Sequence, residues 1–184
     1  VAECAAGGAD RLDDALVEKW LGHRNDVAAL EQLISGGLVV DTMEISAPWS
    51  ALPGIYRATL EAIGGVDGTL SISAHQSHSY TDGGCLYFTF AGKVAPEGRT
   101  AYHHAVWDAG VRAVLAHGGS LSHHHGVGLH RGPYLRDALG DAFDVLVALK
   151  GALDPHGILN PGKLGLPSPF GPLPDLDGGR TSTP

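Results

Sequence analysis

Residues 70–90 read LSISAHQSHSYTDGGCLYFTF. Two β-like runs, Leu70–Tyr80 and Cys85–Phe90, flank Thr81-Asp82-Gly83-Gly84, which is the signature of a hairpin turn. In the second run, period-two alternation puts Leu86, Phe88 and Phe90 on one face and Cys85, Tyr87 and Thr89 on the other. The first face reads as core. The second sets a phenol between two small polar side chains, like the floor of a pocket. On the neighbouring run, the same alternation puts His75 and His78 on opposite faces, so at most one is expected to face that pocket.

Outward from the hairpin, Leu38–Ile45 (LVVDTMEI) is a third β-like run. Helical spacing marks the segments around it. Residues 11–21 carry Leu12, Leu16 and Trp20 on one face. A second helix is expected to start near Asn25 or Asp26, with Val27, Leu30, Leu33 and Ile34, and to stop at Gly36-Gly37. Pro48 and Pro53 bracket the start of a third, with Leu52, Ile55, Tyr56, Leu60 and Ile63 inward. A fourth spans 98–117, with Tyr102, Val106, Ala109 and Ala113 inward. A last one spans 137–152, with Leu139, Ala142, Phe143, Leu146 and Leu149, and Asp154-Pro155 ends it. Residues 1–10 read as frayed. A hairpin among helices, without βαβ alternation, gives an α+β fold: an antiparallel sheet with helices on one face. The expected organisation is one domain over residues 1–164 and a flexible tail over 165–184, which holds five of the eleven prolines.

Composition narrows the function. Charged residues are 17% and hydrophobic residues 43%, so the chain can bury a core. The formal net charge of −8 argues against non-specific nucleic-acid binding and against anionic membranes. Two cysteines, Cys4 and Cys85, make no disulfide framework, so a reduced, cytoplasmic compartment is expected. The outliers are 27 glycines and 11 histidines, three of the latter consecutive.

The triplet sits in Gly118-Gly-Ser-Leu-Ser-His123-His124-His125-Gly126-Val-Gly128. Glycines let this backbone approach a flat or bulky ligand, and imidazole titrates nearest neutrality, which suits proton transfer or anion binding. The triplet by itself is not a metal site: His123 and His125 would share a side of an extended segment, but no Cys or carboxylate stands at useful spacing, and no metal is expected. A third segment, Asp154-Pro-His-Gly157-Ile-Leu-Asn160-Pro161-Gly162-Lys163, demands two successive turns.

GGSLSHHHGVG followed by LDPHGILNPGKL resembles the C-terminal domain of FAD-linked oxidases of the vanillyl-alcohol-oxidase type, and most of all their alkyldihydroxyacetonephosphate synthase branch. VDTMEISAPWSAL at 40–52 and GGCLYFTF at 83–90 fit the same pattern, so the likeness spans about residues 24–164. It implies a ferredoxin-like cap domain over the isoalloxazine ring of FAD. It implies catalytic roles for Tyr87, His123, His124 and His125, with His123, His125, Asn160 and Lys163 toward the cofactor and His124 toward substrate. It also implies exchange of an acyl for an alkyl chain on dihydroxyacetone phosphate, through capture at flavin N5, with a fatty alcohol as second substrate. That is a step of ether-lipid synthesis.

Two departures follow. The family commonly has an Arg-Asp pair before the DT-x-E strand, where this chain reads Leu30-Glu31. Arg24, about two turns earlier, is the remaining candidate for substrate phosphate. The family's N-terminal FAD-binding domain is not in this sequence, so the chain alone is expected to bind FAD weakly and to be inactive without that domain or a partner chain. Other readings left open are a 2-hydroxy-acid dehydrogenase of D-lactate or glycolate type, and a non-catalytic α+β binding module. A homodimer is among the expected assemblies.

Overall fold

The computed structural model describes residues 1–24 and 28–171. They fall into two compact units, residues 1–36 and 37 onward. The first holds α1 (Ala2–Ala6), α2 (Ala15–His23) and α3 (Ala28–Ser35). Residues 1–10, read as frayed, thus contain a short helix, and the helix read over 11–21 starts and ends later. Leu16 and Trp20 of α2 and Leu33 and Ile34 of α3 are exposed. The capping positions Asn25 and Asp26 lie outside the described residues.

The second unit holds β1 (Val39–Pro48), α4 (Leu52–Gly64), β2 (Thr69–Ser79), β3 (Gly83–Gly92), α5 (Arg99–Ala116), α6 (Leu135–Leu139) and α7 (Ala142–Leu153). The sheet is antiparallel in the order β1-β3-β2. One sheet face carries Met43, Ile45, Phe88 and Phe90, all buried, and α4 and α5 cover it with Ile55, Ile63, Val106, Val111 and Val114. This is the α+β layer that the alternation of β3 predicts.

Close approach of α5 to β1 requires a glycine. A Cβ on Gly110 would stand 2.2 Å from the Met43 methyl carbon. The inward stripe of α5 accordingly runs through Tyr102, Val106, Gly110 and Val114, with Trp107 and Val111 beside it, rather than through Ala109 and Ala113. Gly83 and Gly84 are part of β3 rather than of the turn. A Cβ on Gly83 would stand 2.3 Å from the Ala47 carbonyl oxygen, so a bare backbone is needed where β1 and β3 begin to pair.

The last helix is broken. Gly140 adopts φ +52 and separates α6 from α7, so of the expected inward stripe Phe143 is buried while Leu139 and Leu149 are exposed. Past residue 164 the chain is described to Gly171, and Leu166 is buried in the core cluster. No described helix is long and apolar enough to cross a membrane.

Candidate functional site

The histidine loop is tied to the outer edge of β1. After α5 the chain turns at Gly118 (φ +75), and the Ser120 N–H donates to the Ser46 carbonyl at 2.8 Å. The anchor is Glu44, whose side chain is fully buried. Its carboxylate accepts from Ser122 Oγ at 2.6 Å, the His123 N–H at 2.5 Å, the His125 N–H at 3.3 Å and Arg131 Nη2 at 3.3 Å. His125 Nδ1 lies 3.3 Å from the same oxygen that Arg131 reaches. One carboxylate therefore satisfies both ends of the triplet, and Arg131 closes the loop by donating to the Gly126 carbonyl. Burial pulls the Arg131 guanidinium below its ordinary range, while Glu44 and Asp41 oppose that shift.

The open face of the sheet presents the chemistry. Glu44 pairs with Tyr87 across β1 and β3, and Tyr87 with His75 across β3 and β2. The Tyr87 ring lies 6.2 Å from that of His124 and 6.1 Å from that of His125. His78 also faces this side, 4.8 Å from His123 and 5.6 Å from His124 between ring centroids. The expectation that at most one of His75 and His78 does so is corrected here. A register shift between Gln76 and Ser79 inserts one extra residue in β2, and a bulge of that kind resets the alternation.

Four rings form a hydrogen-bonded chain. Tyr80 Oη lies 2.8 Å from His123 Nε2, His123 Nδ1 lies 2.9 Å from His124 Nδ1, and His124 Nε2 lies 3.4 Å from Tyr87 Oη. With both imidazoles neutral, only two proton arrangements satisfy every link. Either Tyr80 donates to His123, which donates to His124, which donates to Tyr87, or each bond is reversed. Tyr87 is shifted upward, by desolvation first and then by Cys85, Glu44 and Tyr80, so it is a phenol at neutral pH. Burial and then Glu44 push the Cys85 thiol up to about 11. Donor atoms of His78, Cys85 and His123 lie within 4.8 Å of one another. Beside the loop, a cleft of about 550 Å³ is lined by the 118–124 segment, Gly126, Val127, and Leu135, Ala138 and Leu139.

The structure thus brings together Tyr87, His123, His124 and His125. Asn160 and Lys163 sit instead in the turn after α7, built on Asp154, whose carboxylate accepts from Lys150 and from the Ile158 and Leu159 N–H groups. Asn160 adopts φ +46 and Gly162 φ +72, left-handed geometry that Asn and Gly take most readily. Arg24 lies in the first unit, with its guanidinium 5.7 Å from the Trp20 ring. Sequence reasoning missed Glu44, Arg131 and Tyr80. The available signal for Glu44 was a carboxylate between Met43 and Ile45 in an otherwise core-forming strand, where a charge must be paired.

A three-stranded cap with an imidazole loop locked to its edge defines a C-terminal domain of flavin-linked oxidases. The chain belongs to the family of FAD linked oxidases, C-terminal domain, which matches residues 2–164. It is 32% identical over 167 residues to the FAD-linked oxidoreductase YgcU of Escherichia coli K12, covering 84% of this chain and 34% of that protein. It is 42% identical over 99 residues to the alkyldihydroxyacetonephosphate synthase of Trypanosoma brucei brucei, covering 53% of this chain and 16% of that one. A solved alkyldihydroxyacetonephosphate synthase superposes with TM-score 0.52 at 26% identity, over 78% of this chain and 24% of the other. The chain therefore spans about a third or less of the length of these relatives.

Proposed function

We propose that the chain is the substrate-facing cap of an FAD-dependent enzyme that exchanges acyl for alkyl chains on dihydroxyacetone phosphate, and that it does not turn over alone. The observation that carries this reading is the ring chain from Tyr80 through His123 and His124 to Tyr87, on an open sheet face. The donor set fits a flavin edge. Phenols and imidazoles can donate to or accept from ring nitrogens and carbonyls, and a Cβ on Gly126 or Gly128 would meet nothing within 4 Å, so that backbone is bare. His123 and His125, with Asn160 and Lys163 from the second turn, are the residues that would hold the cofactor. Bound there, flavin supplies an electron-accepting ring.

The chain's own groups handle the proton. His124 Nε2 takes the proton lost from the substrate carbon next to the carbonyl. The ring chain passes a proton on through His123 to Tyr80, which is 52% exposed and delivers it to water. Tyr87, held as a phenol, donates to the substrate oxygen whose charge grows. Glu44 and Arg131 touch no substrate; they fix the loop.

The test joins this chain to the flavin-binding part of the Trypanosoma brucei synthase and measures incorporation of labelled fatty alcohol, beside the unjoined chain. Exchange is expected only in the joined protein, and Tyr87→Phe and His124→Ala are expected to abolish it while flavin stays bound. Full activity in both variants would overturn the assignment. Reduction of the flavin by 2-hydroxy acids without exchange would make the protein an oxidoreductase instead.

A further inference from the structure

On the helix-facing side of β1, opposite Glu44, a second set of polar groups meets. Asp41 Oδ2 accepts from His103 Nε2 at 2.8 Å and from Trp107 Nε1 at 2.9 Å, and Oδ1 accepts from the Thr42 N–H at 2.7 Å. His103 and Trp107 are one turn apart on α5. His130, from the far end of the histidine loop, packs edge-on against Trp107 at 4.3 Å and lies 5.1 Å from the His103 ring between centroids. One donor atom each from Asp41, His103 and His130 falls within 4.8 Å of the others.

An Asp-His ion pair explains Asp41 and His103. It does not explain His130, whose Nε2 is buried and has no hydrogen-bond partner among the described residues. A buried polar nitrogen without a partner is uncommon in native structures, and an ion is one of the few things that accounts for it. Burial, and then His103, lower the affinity of His130 for a proton, which leaves a neutral imidazole with a free lone pair.

We propose that Asp41, His103 and His130 form a binding site for a divalent transition ion, with zinc as the probe. Two imidazoles and one carboxylate suit zinc and its neighbours, whereas calcium and magnesium require oxygen-rich shells. Ligand atoms around tetrahedral zinc stand about 3.3 Å apart, so on binding the Asp41–His103 pair opens slightly from 2.8 Å while His130 adjusts to the ion. His103 Nε2 gives its proton to solvent as its lone pair turns from Asp41 to the ion. Trp107 and the Thr42 N–H stay on the carboxylate and orient it. The adjacent Arg131 guanidinium, 5.0 Å from the Trp107 ring, is engaged by Glu44 and leaves the site's charge to Asp41.

The site joins three segments: β1, α5 and the end of the loop whose start carries the triplet. Its ion lies behind the proposed proton chain and pins the loop from the other side of the strand. No two of the three ligands are close in sequence, so the spacing of the triplet could not reveal it.

The test titrates the metal-free 184-residue chain with zinc by calorimetry, and with cobalt by absorption. One zinc per chain is expected, with a raised Tm. His130→Gln and His103→Gln are expected to weaken binding by roughly a hundredfold or more, with the metal-free far-UV circular dichroism unchanged. Cys85→Ser and His78→Asn should leave it intact. Cobalt spectra of the unmodified chain decide the matter without any variant: ligand-field bands without a thiolate-to-cobalt charge-transfer band support the site. A charge-transfer band would place the ion at His78, Cys85 and His123 and overturn the proposal. So would the absence of stoichiometric binding, which would leave a buried water as the partner of His130.

Discussion

The phenol oxygen of Tyr80 and Nε2 of His123 stand 2.8 Å apart, although 43 residues separate them in the chain. The hairpin between β2 and β3 brings this about: Tyr80 begins its turn, and its N–H donates to the Gly83 carbonyl. Because the His123 imidazole also meets His124 through its other nitrogen, the state of Tyr80 constrains two histidines at once. Tyr80→Phe is expected to change the tautomer populations of both His123 and His124, read from imidazole nitrogen shifts by NMR at alkaline pH. A change confined to His123 would show that the links are independent and would end the relay.

Glu44 is the second point of leverage. With the carboxylate gone, Arg131 is left buried without its ion-pair partner, with Asp41 acting on it only through space, and losing one partner of such a pair typically costs about 3–5 kcal/mol. Glu44→Gln is expected to destabilise the chain by an amount of that order in urea unfolding. Glu44→Gln combined with Arg131→Met should cost less than the sum of the two single changes, since the orphaned charge is removed. Additive losses would mean that the two side chains stabilise the loop separately.

Much of the fold was legible in the sequence because it rests on local periodicity. Leu86, Phe88 and Phe90 alternate with Cys85, Tyr87 and Thr89, and that pattern alone selects the buried face. The site was legible only where one segment carried it, as in the triplet. His78 was misplaced because a bulge is a one-residue register event that leaves no mark on composition. Glu44 and Arg131 escaped because their meaning depends on a pairing across 87 residues. The break at Gly140 was hidden by apolar residues at helical spacing on both sides of it.

The two cysteines should behave as opposites. Cys4 is exposed, whereas Cys85 is buried with its thiol pushed up to about 11. Only the thiolate attacks disulfide reagents, so at pH 8 one thiol per folded chain is expected to react quickly. The second should appear only on unfolding in guanidinium. Cys4→Ser should remove the fast phase. Two fast thiols in the folded protein would show that the floor of the site is open to small electrophiles.

Asp154 gives a pH signature away from either cluster. The Lys150 ammonium, the strongest influence, and the Ile158 and Leu159 N–H groups hold its carboxyl below the usual aspartate range, against the upward push of burial. A carboxylate whose affinity for protons is lower in the folded than in the unfolded chain adds stability above the ordinary aspartate value. That contribution fades as pH falls through the depressed folded value, because the protonated acid can no longer serve the three donors. The chain is therefore expected to melt higher than Asp154→Asn at pH 7, with the gap closing as the pH is lowered through the aspartate range. Other carboxyl groups titrate equally in both proteins and cancel in the difference. Lys150→Met should shrink the gap at neutral pH and move its closure to higher pH, since the largest cause of the depression is gone. A gap that stayed constant down to strong acid would mean that Asp154 acts on the turn by shape alone, with no part played by its charge.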